Sequence, residues 1–211
     1  MRLGWTNFSP NPTNSSKSPF NCSPNPVKPS DFPNLVDCGW SPKDKPANND
    51  EVARLESKIG VSLPPEYRDF IAFIGPGFLD GWVPCSYPTP FGSHGLTSLH
   101  SIIEVEELLD SLIVPRNMIC IGSGDFGAFT CLSVCGLDRG AIYSLDGEMN
   151  YYKDIADPQQ FYSNSPNAIE FYRLRDEDQL PPRPCGYDNC YHITDSFANF
   201  LKALQSSTID D

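Results

Sequence analysis

The sequence predicts a domain that combines helices with a strand-rich block. Two short neighbouring amphipathic helices are expected over residues 51–75. Apolar and β-branched runs at 118–121, 128–134 and 141–145 are separated by Gly and Asp turn signals. A last amphipathic stretch follows Asp195-Ser196.

The first helix is expected to start after Asn48-Asn49-Asp50, which supply N-cap side chains. Val52, Leu55 and Ile59 fall on one face, and Gly60 sits where a left-handed C-terminal residue is needed. Pro64 and Pro65 suit the first turn of the second helix, whose amides have no helical partners to lose. Tyr67, Phe70, Ile71 and Ile74 then recur at helical spacing until Gly75-Pro76-Gly77 stops them. Residues 78–100, rich in aromatics, Gly and Pro, read as short strands and loops. Ser101 to Glu104 is a capping box opening a third helix. Its apolar positions Val105, Leu108, Leu109 and Leu112 lead to a stop at Pro115. Asp138-Arg139-Gly140 and Asp146-Gly147 mark turns in the strand block. Residues 158–190 read as an irregular insertion with a short helix at 167–172. The closing helix carries Phe197, Phe200, Leu201 and Leu204 on one face.

Residues 1–50 hold nine Pro, eight Asn and seven Ser, with no periodicity. Such a stretch buries too little apolar area to offset its ordering entropy. The expected division is therefore a flexible tail at 1–47, with Trp5, Phe8, Phe32 or Trp40 laid against the domain, a domain at 48–206, and a short tail at 207–211. The N-terminus has no apolar core of a secretory leader, and no apolar run reaches membrane-spanning length. A cytoplasmic, soluble protein without membrane contact is the expectation.

The formal net charge is −12, and it is unevenly spread. Residues 51–211 carry ten Lys/Arg against twenty-three Asp/Glu, a balance of −13. Nucleic acid demands the opposite sign, so DNA or RNA is not the expected ligand; the acidity suits fast encounter with a basic protein partner, or serves only to keep the protein soluble.

Three of these segments, LESKIGVSLPPEYRDFIAFIG at 55–75, MICIGSGDFGAFTCLSV at 118–134 with AIYSLDGE at 141–148, and ITDSFANFLKAL at 193–204, together resemble the SUKH superfamily, the Smi/Knr-type proteins. The resemblance covers roughly residues 50–204. It implies an α+β domain with helices packed on a strongly bent, mostly antiparallel sheet. It also implies a non-enzymatic protein-binding role, either as an immunity protein neutralising a toxin, often a nuclease, or as a regulatory scaffold in cell-wall synthesis or signalling. It carries no catalytic residues.

The motifs suggestive of chemistry are weak. Gly122-Ser123-Gly124-Asp125-Phe126-Gly127 satisfies a dinucleotide pattern, but strand-like residues follow where a helix is required, so a hairpin turn is expected. Cys131-x3-Cys135 and Cys185-x4-Cys190-x-His192 depart from the tight pairs of structural zinc sites, the second group lying in a predicted loop. A thiol enzyme would draw on Cys85 with His94 or His100, or on Cys190 with His192, without any local signature. Glu106-Glu107 and Asp176-Glu177-Asp178 are adjacent acids that do not converge on one substrate. No catalytic residue, metal or cofactor is therefore expected, a zinc- or thiol-dependent enzyme remaining the rival reading. The binding residues expected are Asp80, Trp82, Tyr87, Asp125, Phe126, Asp146, Glu148 and Tyr151, with Tyr152 beside them. Aromatics supply anchoring area and acids steer a basic target.

Overall fold

The structure, a computed structural model, describes residues 28–86, 89, 92–111, 113–147, 170, 173–174, 177–179 and 189–207. In chain order the helices are α1 (Pro33–Asp37), α2 (Asn49–Ile59), α3 (Pro65–Phe73), α4 (Ile102–Glu107) and α5 (Phe197–Ala203). The strands are β1 (Ser41–Pro42), β2 (Gly77–Pro84), β3 (Ser93–Leu99), β4 (Met118–Ser123), β5 (Ala128–Ser133), β6 (Ile142–Asp146), β7 (Cys190–Thr194) and β8 (Gln205–Ser206). They form one antiparallel sheet in the order β1 to β7, with β8 beside β2. The sheet curls into a half-barrel with helices on its main core, the expected α+β arrangement.

Local signals set the helix ends as expected. Asn48 and Glu51 close a reciprocal capping box on α2, with bonds of 3.0 and 2.8 Å. Gly60 ends that helix at φ +75°, a conformation only glycine adopts without steric cost. Ser196 caps α5 by accepting from the Asn199 amide at 3.2 Å.

Alternation along the strands divides the core into two layers. Ile119, Ile121, Leu132, Val134, Ile142 and Ile193 face the helices. Met118, Cys120, Cys131, Tyr143, Leu145 and Cys190 face the opposite way and form a smaller cluster. Both faces of β4 are therefore buried, which explains its unbroken apolar run. The second layer also explains why the third helix is shorter than its sequence suggests. It stops at Glu107, and the following residues cross the sheet so that Leu108, Ile113 and Val114 cover the far cluster.

Two devices bend the sheet. The β4–β5 register shifts between Cys120 and Gly122, and a bulge of this kind turns a strand. Gly122 also lets β4 approach β3 closely, since a Cβ there would stand 2.6 Å from the Ser98 carbonyl. The bend is large enough for His94 on β3 to reach over β4 to Thr130 on β5 and Ser144 on β6.

The packed unit extends N-terminally beyond the expected start at 48. Leu35 and Cys38 are buried in the main core. Phe32 and Trp40 meet Phe70 edge-to-face, at 6.2 and 6.0 Å between ring centroids. The Lys43 and Ala47 amides bond to the Pro76 and Ile71 carbonyls at 3.1 and 2.9 Å. The segment is ordered by these tertiary contacts, which no periodicity announces. The expected insertion at 158–190 lies mostly outside the described residues; Glu170, Arg173 and Leu174 are helical.

Candidate functional site

Three of the residues expected to bind a partner are described as exposed or half-buried on or beside the outward face of β2. Phe78, Asp80, Trp82 and Pro84 alternate toward solvent while Gly77, Leu79, Gly81 and Val83 are buried. Phe78 remains 50% exposed, with the Lys43 ammonium 5.3 Å from its ring centroid. Trp82 is half-buried and is the Cα partner of Gly95 on β3. Directly opposed residues of an antiparallel pair direct their side chains to the same face.

Gly95 has no side chain there, and Asp125 uses the space. A Cβ on Gly95 would stand 2.3 Å from the Asp125 Oδ2. Asp125 reaches this position because the β4–β5 turn, a 3₁₀ turn at Asp125–Gly127, lies against β3. Gly124 permits that approach, since a Cβ on it would stand 2.0 Å from the Gly95 carbonyl oxygen. The fold thus puts Trp82 and the exposed Asp125 carboxylate on either side of one glycine, although 43 positions separate them in the chain. Exposed Asp80 lies two residues from Trp82 on β2.

The other expected binding residues fare differently. Asp146 is buried, with 6% exposure, at the end of β6. Its amide bonds to the Asn189 carbonyl at 3.0 Å, and the Asn189 side chain donates back to its carbonyl at 2.8 Å. It therefore joins β6 to the start of β7 and is not part of the outward face. Phe126 belongs by its backbone to the 3₁₀ turn. Tyr87, Glu148, Tyr151 and Tyr152 lie outside the described residues.

The G-x-G-x-x-G match is a hairpin turn followed directly by β5, so no helix N-terminus is available for a pyrophosphate. The thiol and zinc groupings are described only in part, and several of their described members are held in other contacts. Burial pushes the largely buried Cys85 thiol up to about 11, away from the reactive thiolate. His94 is engaged at both nitrogens, Nε2 with Thr130 Oγ1 at 2.7 Å and Nδ1 with Ser144 Oγ at 2.8 Å. Cys190 and His192 lie on β7, in place of the predicted loop. Cys190 is buried, and His192 stacks edge-on against Tyr143 at 5.3 Å, with Asp195 3.1 Å from its Nε2. Cys131 points into the far cluster while Cys135 stays half-exposed beyond the strand end. Among the described residues no three His, Cys, Asp or Glu side chains are arranged to hold a metal ion; Cys185 lies outside them.

Of the adjacent acids, Glu106 and Glu177 are held in ion pairs. Glu106 receives Arg54 at 2.8 Å and Lys58 at 2.6 Å, tying α4 to α2. Glu104 caps α4 and pairs with Lys43. Burial opposes its charge, but the bonds from Lys43 and Ser101 outweigh that and bring its carboxyl down to about 2. Glu177 pairs with Arg173 at 2.5 Å.

One grouping was not foreseen. Cys120 and Cys131 are opposed Cα partners across β4 and β5, both buried. His100 brings Nδ1 to 3.8 Å from the Cys120 sulfur and Nε2 to 2.8 Å from Ser123 Oγ. Alternation could have put Cys120 and Cys131 on matching faces, but only the register shows that they are opposite each other.

The curled, helix-packed sheet thus carries an exposed acidic and aromatic face. Residues 46–203, most of the chain, match the SMI1 / KNR4 family (SUKH-1), and the chain belongs to that family. A comparison with curated proteins found no match. No helix among the described residues is long and apolar enough to cross a membrane.

Proposed function

We propose that the domain is a non-enzymatic immunity protein that neutralises a cognate toxin with a basic surface, such as a nuclease domain, in the cytoplasm. The observation that carries this reading is the outward face of Asp80, Trp82 and Asp125, with exposed Phe78 beside it. Trp82 offers a half-buried aromatic anchor of the kind that dominates interface energies. The two carboxylates would occupy the phosphate-binding surface of a nuclease and keep its substrate out. The −13 balance of residues 51–211 would draw such a toxin in from a distance. Tyr87, Phe126, Glu148 and Tyr151 are proposed as further members of the interface.

The test is rescue of growth. The chain is co-expressed with the toxin domain encoded beside its gene, and compared with a variant carrying Asp80→Lys, Trp82→Ala and Asp125→Lys together. Wild type is expected to restore growth, and the folded triple variant is expected to fail. Rescue by the triple variant at equal expression would remove this face from the function, and failure of the wild type would remove the toxin-neutralising role.

A further inference from the structure

The pairing of β4 with β5 opposes two cysteines that the proposed recognition role does not use. Cys120 and Cys131 are Cα partners, and both side chains enter the cluster on the far face of the sheet. Opposed residues of an antiparallel pair stand roughly 4.5–5.5 Å apart at Cα. A disulfide spans about 4.4–6.8 Å at Cα, so the backbone need not move far to accept one. Competing partners are worse placed. Cys135 lies past the end of β5, and Cys190 is on β7, two strands from β5 and three from β4.

We propose that Cys120 and Cys131 are a peroxide-sensitive dithiol that closes to a cross-strand disulfide within the β4–β5 hairpin. Cys120 is the attacking sulfur. The neighbouring Cys131 side chain holds the Cys120 thiol below the usual range; burial opposes this, and His100 and the Gly122 backbone favour it. The same interaction and burial push Cys131 up, which keeps it protonated as the resolving thiol. In the first step the Cys120 thiolate attacks hydrogen peroxide. A sulfur–oxygen bond forms, the oxygen–oxygen bond breaks, and hydroxide leaves a sulfenic acid. In the second, the Cys131 sulfur attacks that sulfenic sulfur, the sulfur–sulfur bond forms and water departs. Two thiols lose two electrons and one peroxide becomes two waters.

Both sulfurs are shielded from solvent, so reaction proceeds through local opening of the hairpin. The linkage would close the stem of the hairpin whose turn carries Asp125, fixing that carboxylate over Gly95.

The experiment treats the purified full chain with hydrogen peroxide under native conditions. The protein is then denatured, alkylated with N-ethylmaleimide, digested with chymotrypsin and mapped by mass spectrometry. The expected product is a Cys120–Cys131 linkage that dithiothreitol reverses, that Cys135→Ala retains and that Cys131→Ala abolishes. The wild-type linkage map decides the matter even if Cys131→Ala fails to fold. Alkylation of both Cys120 and Cys131 after treatment, or linkage of either to Cys135 or Cys190 instead, would overturn the proposal.

Discussion

Phe70→Ala is expected to cost about 3–5 kcal/mol of stability, the range for removing a fully buried aromatic from a core. Phe70 has no exposed surface and stands where three elements meet. Its ring contacts Phe197 of α5 at 5.1 Å, Trp40 at 6.0 Å and Phe32 at 6.2 Å. Truncation would leave a cavity and would also loosen the packing of Phe32 and Trp40 against the core. Domains of this kind have only about 5–15 kcal/mol in total, so the variant should lie near its unfolding threshold. Urea titration gives the answer as a lowered midpoint. A cost under about 1 kcal/mol would mean that the N-terminal segment and α5 do not pack on α3 as described.

Acidification is the second large effect, and it centres on His94. Burial lowers its pKa from 6.5 to about 4, so the folded domain holds it neutral, as bonding to both Thr130 and Ser144 allows. The unfolded chain binds this proton near pH 6.5, whereas the folded chain resists it down to about pH 4. Stability from this group is therefore complete above pH 6.5 and falls as the pH drops from 6.5 to 4. At 1.36 kcal/mol per unit of pKa difference the loss approaches about 3 kcal/mol. Thermal unfolding measured between pH 7.5 and 4 should show that slope in the wild type and a flatter one in His94→Gln. Equal slopes would show that the imidazole is not held neutral in the fold.

How much of this was legible depends on how local each cause is. The ends of α2, α3 and α5 follow from Asn48, Gly60, Pro65 and Ser196, each acting within a turn of itself, and the sequence displays them directly. The strand runs at 118–121, 128–134 and 141–145 were equally plain, because both their faces are buried. The order of residues 32–47 was not, since Phe32, Leu35 and Trp40 follow no period and gain their place only against Phe70 and the core. The end of α4 was misjudged because Leu108 keeps the helical spacing while serving the opposite layer.

The site shows the same division. Residue type alone suggested Asp80, Trp82 and Asp125, but their proximity depends on Gly95 and Gly124 allowing a turn to lie against β3. Asp146 looked equally suitable as a turn acid, yet the strand continues through it and Asn189 covers its backbone. The Cys120–Cys131 opposition required the register of two strands, which composition and spacing cannot supply.

The most direct test of recognition through the β2 face is the affinity of the purified domain for the adjacent-gene toxin domain, measured calorimetrically at low and high salt. The account predicts that binding weakens as salt rises, because exposed charges are screened. It also predicts that the Asp80→Lys, Trp82→Ala, Asp125→Lys variant loses at least about tenfold in affinity, the fold-change equivalent of roughly 1.4 kcal/mol, while unfolding at the wild-type temperature. Undiminished affinity in that folded variant, with no response to salt, would contradict it.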